Sequence, residues 1–288
     1  MTGHPRVLPD PDWAIGKHAL MNLAIRLRNG RTEIDPSSWR IPYQWQGTHY
    51  QDNDDQPFLL LINSGGGFVE GDTAHLHATL DPGSRALITT TAASKFYKCP
   101  LGETSAEHIN ITVGAGALLE YCPDEAIPFA GSRVLRRTQI DIAEDSYLFA
   151  TDMISAGRIH YGRSGEAFDF HTLDSEFVVN LDGAPLVIDR QVATQPDEVA
   201  ALARMWDGAR HQATVIIWGD LPEGIEDQIE QTLYGIEGVK AGASRQGRLV
   251  SCRILAGETW MCHEAIHEVW KHVRPALAGK PARLIRKC

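Results

Sequence analysis

The chain has 288 residues and a mass of 31.8 kDa, and its 43% hydrophobic and 22% charged residues are typical of a globular protein, not a disordered or fibrous one. Its 37 acidic residues outnumber its 27 basic ones, so the net charge of −10 disfavours general binding to nucleic acid. No apolar segment is long enough for a signal sequence or a membrane span, and the five cysteines form no C-x-x-C pair, so we expect a cytoplasmic protein with reduced thiols.

β-strands are predicted for almost all of residues 50–190. Polar and apolar side chains alternate along residues 73–80, which predicts a strand with one buried face. Three similar segments begin at Leu80, Val113 and Ile142. Each consists of a strand end, a tight turn and a second strand, and this recurrence predicts stacked β-coils of similar shape.

The pattern changes after Pro196, where helical and strand signals alternate. Between residues 213 and 276 the predicted order is strand, helix, strand, strand, helix. We therefore predict a mainly β fold. It has an elongated body of stacked β-coils at residues 1–195 and a closing α/β region at residues 196–288, packed together as one structural unit.

A motif with the spacing of a zinc-dependent hydrolase, His263-Glu264-x-x-His267, lies on the last predicted helix. A catalytic zinc ion needs a third protein ligand, and the metzincin continuation would need glycine and histidine where this chain has tryptophan and valine. No acidic residue follows Glu268, so only a distant residue could complete such a site. We favour a structural or partner-facing helix and keep the hydrolase as an alternative.

The glycine-rich segment at residues 65–72 does not match a nucleotide-binding loop. It lacks the Gly-Lys-Ser/Thr ending of a P-loop, and Glu70 stands where the G-x-G-x-x-G pattern has its third glycine. We expect these glycines to permit a tight turn or the close approach of another chain.

Two histidines are candidates for metal contact. His75 and His77 lie two residues apart on one face of a predicted strand, close to Asp72, and this spacing lets two imidazoles contact one nickel or zinc ion. The alternative is an ordinary half-exposed strand face.

Four polar side chains stand at the ends of apolar strands, where a carboxylate is unfavourable unless it is paired, hydrated or bound to a cation. They are Asp72, Ser94, Asp152 and Asp189. Each acid alone is explained by an ion pair or by solvent, whereas together they predict a hydrated interior path. No nucleophile stands in a recognisable elbow, and no set of acids and histidines has the spacing of a general acid and base, so the sequence predicts no enzymatic activity.

Six segments stand in a characteristic order along residues 59–281. They are LLLINSGGGFVEGD, LDPGSRALITTTAASKFYK, ALLEYCPDEAIPFAGSR, LFATDMISAGR, GAPLVIDR and VWKHVRPALAGKP. This series resembles the urease accessory protein family UreD, also called UreH, and the resemblance extends from about residue 23 to residue 281. The resemblance implies a non-catalytic metallochaperone subunit with an elongated, right-handed β-helix-like body.

The same resemblance implies partners and a cargo. Members of the family bind apo-urease and the accessory proteins UreF and UreG, the latter a GTPase that carries nickel. Nickel is implied to cross an internal polar path as a transient ion, with no tightly bound cofactor, and the implied path positions are Asp72, Ser94, Asp152 and Asp189. A structural adaptor that never contacts metal is the alternative.

The W-x-x-x-R-P pattern of the last helix is a further part of the resemblance. Its residues in this chain are Trp270, Arg274 and Pro275, which are thereby implied to contact a partner protein. The basic residues beyond Glu268 are explained by a solvated terminus, and docking onto another protein is the alternative. Neither nucleic acid nor a membrane is an expected partner.

Overall fold

The computed structural model describes residues 16–51, 55–285 and 287. Its first strands are β1 (His18–Arg28), β2 (Arg31–Arg40), β3 (Tyr43–Gln44), β4 (Phe58–Asn63), β5 (Thr73–Leu80), β6 (Arg85–Thr90) and β7 (Ser94–Phe96). They are followed by β8 (Ser105–Val113), β9 (Leu118–Cys122), β10 (Ala126–Pro128), β11 (Arg133–Ile142), β12 (Tyr147–Ser155), β13 (Thr172–Leu181) and β14 (Ala184–Ala193). The remaining elements are α1 (Pro196–Met205), β15 (His211–Trp218), α2 (Ile225–Tyr234), β16 (Val239–Gln246), β17 (Leu249–Ala256) and α3 (Thr259–Ala278).

Most strands belong to two large mixed sheets. The first sheet has the order β14-β13-β11-β8-β5-β1-β2, with parallel inner strands and an antiparallel strand at each edge. The second has the order β16-β17-β15-β12-β9-β6-β4-β3, and its strands are parallel from β4 to β12. Along the chain, β5, β8 and β11 of the first sheet alternate with β6, β9 and β12 of the second.

The prediction of a mainly β fold is confirmed. Alternation between two sheets, with parallel pairing inside each, is the connectivity that stacked coils require. The right-handed β-helix-like classification stays a prediction.

The C-terminal elements follow one another as strand, helix, strand, strand, helix. Their three strands extend the second sheet, because β15 pairs antiparallel with β12, and β17 pairs antiparallel with β15 and with β16. The region after residue 196 therefore shares a sheet with the rest of the chain. The predicted division at residues 195 and 196 stays a prediction.

The second sheet is buried on both faces, and β12 shows how. Its residues Ala150 and Ile154 pack into the core between the two sheets, whereas Phe149 and Met153 pack into a second core beneath α2 and α3. Successive side chains of a strand point to opposite faces, so one strand supplies both cores. Among the described residues, no helix combines the length and the apolar character that crossing a membrane requires.

The glycine-rich turn before β5 permits a close approach of two chain segments. Gly67 has a φ of +140°, and a Cβ atom at this position would lie 2.6 Å from the carbonyl oxygen of Lys95. Neighbouring Phe68 forms a parallel bridge with Phe96 of β7, and their rings stack with centroids 4.7 Å apart. The glycine thus brings this turn against β7, which carries Ser94.

Candidate functional site

A row of polar side chains crosses the inner face of the first sheet. Glu107 of β8 is the register partner of Arg136 of β11, which is in turn the partner of Ser175 of β13. All three are buried and in phase with the buried apolar residues of their strands, so they point between the sheets. Arg136 Nε donates to Glu107 Oε2 at 3.3 Å, and its Nη1 donates to Ser175 Oγ at 3.3 Å.

Two of the four predicted path residues join this row. Ser94 Oγ donates a hydrogen bond of 3.1 Å to Glu107 Oε1. On the facing sheet, Asp152 Oδ1 accepts a hydrogen bond of 2.8 Å from Arg136 Nη2. Ser94, Glu107, Arg136 and Asp152 therefore form a continuous chain of contacts, which we call the inter-sheet network. Within it, two carboxylates share one guanidinium.

Burial and charge set the protonation of the inter-sheet network. Burial alone would lower the pKa of Arg136, but the carboxylates of Asp152 and Glu107 outweigh it and raise that pKa above its usual value. Burial raises the pKa of Tyr43 and of Tyr121, and the charge of Glu107 raises both further. At neutral pH the guanidinium is therefore charged and both phenols are neutral.

A small cavity of about 70 Å³ lies at the Ser94 end of the inter-sheet network. Tyr43, Ser94, Lys95 and Glu107 are among the residues that line it. The hydroxyl of Tyr43 is buried and has no hydrogen-bond partner among the described residues. A polar cavity of this size accommodates water, which can satisfy that hydroxyl and hydrate an ion.

Asp189 lies beyond the opposite end of the inter-sheet network. Its Oδ2 accepts a short hydrogen bond from Thr214 Oγ1, and its Oδ1 lies 2.8 Å from Arg253 Nη2. Thr214 of β15 is the register partner of Asp152, so the two side chains emerge from the same face of the second sheet. Asp189, Thr214 and Arg253 also line a groove of about 370 Å³ between β14 and the β16–β17 hairpin.

Asp72 has a different local role. Its Oδ1 accepts a hydrogen bond of 2.6 Å from the backbone amide of Lys17, and its Oδ2 accepts one of 2.9 Å from the amide of Val69. Both carboxylate oxygens thus hold backbone at the start of β5. Ser94 and Asp152 meet through Glu107 and Arg136, and Asp189 adjoins them through Thr214. In the described hydrogen bonds and ion pairs, Asp72 contacts none of these six residues directly.

Glu107 and Arg136 were absent from the sequence-based prediction, although their strands contain a signal for them. Glu107 occurs in phase with buried Ile109 and Ile111, and Arg136 occurs in phase with buried Val134 and Ile140. A charged residue on the apolar phase of a strand is buried with it, and it then requires a partner. The identity of that partner depends on register between distant strands, which the sequence does not show.

The two histidines proposed for metal contact lie on the outer face of the first sheet. The rings of His75 and His77 are stacked with centroids 6.2 Å apart, and His75 also stacks on His108 at 4.7 Å. Burial and the neighbouring imidazoles of His108, His77 and His18 lower the pKa of His75 to about 4. Nearly parallel rings do not aim their nitrogens at one point, and metal contact by His75 and His77 stays a prediction.

The residues implied to contact a partner are mostly inside the protein. Trp270 and Arg274 are each only 3% exposed, whereas Pro275 is exposed. Glu120 of β9 accepts hydrogen bonds from Trp270 Nε1 at 2.6 Å and from Arg274 Nε at 2.9 Å. In this conformation the first two residues therefore fasten α3 to the second sheet, and only Pro275 is available to a partner.

The side chains of the hydrolase-like motif, His263, Glu264 and His267, do not converge on one point. Glu264 is exposed, and His263 Nε2 lies 3.3 Å from Oε2 of Glu125, a residue 138 positions earlier in the turn before β10. Asp124, Glu125 and His263 have ligand atoms that all lie within 4.8 Å of one another, and they are the one such group of three among the described residues. His267 is outside this group. Burial would raise the pKa of Glu125, but the hydrogen bond with His263, a backbone hydrogen bond and the nearby histidine charges together outweigh burial and lower that pKa.

The chain is similar to known proteins along nearly its whole length. The family model described as UreD urease accessory protein matches residues 17–287. A urease accessory protein UreD from Lachnoclostridium phytofermentans is 28% identical over 273 residues, which cover 90% of this chain and 97% of the relative. The UreD proteins of Klebsiella aerogenes and Klebsiella pneumoniae are each 30% identical, over 277 and 284 residues. These two alignments cover 96% and 98% of this chain and 98% of each relative.

Proposed function

The chain belongs to the UreD family of urease accessory proteins, and we propose that it acts in urease maturation as a non-catalytic scaffold. In this role it binds apo-urease together with UreF and UreG and assists the transfer of nickel to the urease active site. Nickel is the cargo of this process and not a resident cofactor. The proposal includes a cytoplasmic location.

The inter-sheet network is the observation that carries the nickel part of this proposal. Glu107 and Asp152 are carboxylates in a buried space, with Ser94 at one end and water-sized volume beside it. Sparse oxygen donors hold a divalent ion weakly, whereas a closed set of nitrogen and sulfur ligands retains it. Such a chain of donors suits a nickel ion that is bound transiently and then transferred.

We further propose that the path continues from Asp152 to Asp189. Thr214 emerges beside Asp152 and hydrogen-bonds to Asp189, and the groove at Asp189 provides a second opening to solvent. Asp72 then stabilises the backbone at the start of β5 and is not a nickel ligand.

Arg136 has a specific part in this proposal. Its guanidinium bridges Glu107 and Asp152 and neutralises part of their charge in the metal-free protein. A divalent ion that passes between these carboxylates displaces the guanidinium from at least one of them. The guanidinium therefore keeps the two acids compensated between transfers, since an unpaired buried carboxylate is strongly destabilising.

A structural adaptor without metal contact is the second candidate, and one observation favours it. Asp152 is already ion-paired with Arg136, and Asp189 with Arg253, as expected of acids that only stabilise the fold. The zinc-hydrolase alternative lacks comparable support, because Glu264 is exposed and His267 lies outside the convergent group.

Nickel-dependent activation of apo-urease tests the proposal. The chain is co-expressed with urease, UreF and UreG, and activity is compared with that of a strain lacking the chain. We expect activation to be lost without the chain and to fall in the Asp152→Asn variant while the complex still co-purifies. Full activation without the chain would refute the maturation role. Normal activation by Asp152→Asn in an intact complex would instead favour the adaptor.

A further inference from the structure

We propose that Asp124, Glu125 and His263 form a second metal site, which binds one divalent transition-metal ion such as nickel, zinc or cobalt. Its ligand atoms converge within 4.8 Å of one another. We call this group the loop-helix site. It is separate from the inter-sheet network, and the proposal does not rest on the proposed function.

The donor set fits a borderline metal ion. One imidazole nitrogen and two carboxylates are ligands that nickel, zinc and cobalt accept, whereas magnesium and calcium prefer oxygen donors alone. Donors around one ion at about 2.1 Å lie roughly 3.0 to 3.4 Å apart. The 3.3 Å between His263 Nε2 and Glu125 Oε2 already meets that spacing, and the Asp124 carboxylate lies within 4.8 Å of both ligand atoms.

The two acids are held in place by the surrounding backbone. The amide of Asp124 donates to Thr90 Oγ1 at 2.8 Å, and the carbonyl of Glu125 accepts a bond of 2.9 Å from the amide of Ser94. Both bonds tie the turn to the second sheet and to β7. His263 is carried by the first turns of α3, so each ligand is supported by a rigid element.

Burial and access both favour a bound cation. Glu125 is nine-tenths buried and its carboxylate points to the His263 imidazole. Burying a carboxylate against an imidazole compensates its charge only partly, and a divalent cation compensates it fully. A cavity of about 360 Å³, lined by Asp124, His263 and His267, opens beside the site, so an ion can enter and water can complete its coordination.

A competing cation is built into the protein. The ammonium of Lys287 forms an ion pair with Oδ1 of Asp124, and its positive charge competes with a metal ion for this carboxylate. This contact predicts an unusual result: removal of the lysine strengthens metal binding. A substitution that merely damaged the fold would weaken binding instead.

Metal binding by the purified, metal-free full-length chain tests the site. Co²⁺ is added at pH 7.5 and followed by its visible absorption, and Ni²⁺ affinity is measured by equilibrium dialysis. We expect His263→Ala and Glu125→Gln to weaken binding at least about tenfold and Lys287→Ala to strengthen it several-fold. The His75→Ala/His77→Ala double variant, with an intact loop-helix site, is the control and retains this binding. Circular dichroism verifies the fold of each variant.

The outcomes separate this site from the proposed function. Absence of a Co²⁺ band in the wild type, wild-type affinity in His263→Ala, or loss of binding in the double variant overturns the loop-helix site. An unchanged affinity in Lys287→Ala removes Asp124 from the ligands and also overturns the three-ligand site. None of these results depends on urease, UreF or UreG, so the maturation role can fail or stand independently.

Discussion

Two buried groups of acids and arginine lie on opposite faces of the second sheet. They differ in how completely the arginine compensates the negative charge of the acids. Beneath α3, both oxygens of Glu120 are saturated: Trp270 and Arg274 donate to Oε1, and Gln56 and Arg274 donate to Oε2. We call this group the helix anchor. One carboxylate there meets one guanidinium, so the anchor is neutral.

The inter-sheet network is composed differently. One guanidinium, that of Arg136, serves the two carboxylates of Glu107 and Asp152, and a cavity adjoins them. Buried ion pairs with similar distances can therefore have different roles. A neutral and saturated group fixes a helix, whereas a group with excess negative charge beside open volume is suited to receive a cation.

The largest expected effect comes from Arg136→Met. This variant leaves Glu107 and Asp152 buried without their guanidinium, and we expect the free energy of unfolding to fall by about 3 to 5 kcal/mol. Urea denaturation at pH 7.5 measures it. Arg26→Met is the matched control, because this arginine is 45% exposed and its pair with Asp35 contributes at most about 1 kcal/mol. Equal losses in the two variants would contradict the burial argument.

Arg274→Met probes the helix anchor and should have a smaller effect. Glu120 retains the hydrogen bonds from Trp270 and Gln56, so we expect a loss of about 2 to 3 kcal/mol. The same urea titration gives the value. A loss of stability greater than that of Arg136→Met would show that the acid of the helix anchor depends more on its guanidinium than the two acids of the inter-sheet network do.

Added nickel should distinguish the same two variants. In Arg136→Met the carboxylates of Glu107 and Asp152 are free to bind a cation, and binding to the folded state adds about 2.7 kcal/mol when nickel is at 100 times its Kd. We therefore expect Ni²⁺ to raise the melting temperature of Arg136→Met more than that of Arg274→Met. The His263→Ala substitution is placed in both backgrounds to remove the loop-helix site. Equal shifts in melting temperature would contradict the interpretation that the inter-sheet network binds a cation.

The smallest effect is expected on the outer face, where His75 stacks on other histidines. Its pKa in the folded protein is about 4, below the usual 6.5, so the unfolded chain binds more protons between these values. Stability is therefore unaffected by this group above pH 6.5 and falls as the pH drops from 6.5 to 4. Thermal melts at pH 7.5 and 5.0 should show a smaller acid-induced decrease for His75→Asn than for the wild type. His160→Asn, at a side chain 71% exposed, serves as control and should behave as the wild type does.

Local patterns account for much of the fold. The alternation at residues 73–80 predicted β5 with its buried face, and the apolar stripe after residue 259 predicted α3. Both signals depend only on the side-chain period of the element. The pairing of strands into two sheets was harder to predict from the sequence, because register is decided between segments far apart in the chain.

The candidate sites show the same limit. Ser94 and Asp152 entered the prediction at strand ends, but their connection through Glu107 and Arg136 became visible only with the register of β8 and β11. The local spacing of His263 and His267 indicated a metal-binding motif, whereas the structural neighbour of His263 is Glu125, which lies 138 residues away in the chain. The family resemblance implies a partner contact for Trp270, which stays a prediction, and sequence spacing does not show that Glu120 accepts its indole N–H.

A comparison of Glu107→Gln with Glu120→Gln in nickel-dependent urease activation tests whether the inter-sheet network, and not the helix anchor, transfers nickel. Both substitutions replace a buried carboxylate by an amide of the same shape, one in the inter-sheet network and one in the helix anchor. At equal amounts of assembled complex, we expect Glu107→Gln to lower activation severalfold and Glu120→Gln to activate as the wild type does. Wild-type activation by Glu107→Gln, or an equal loss in both variants, would contradict this expectation.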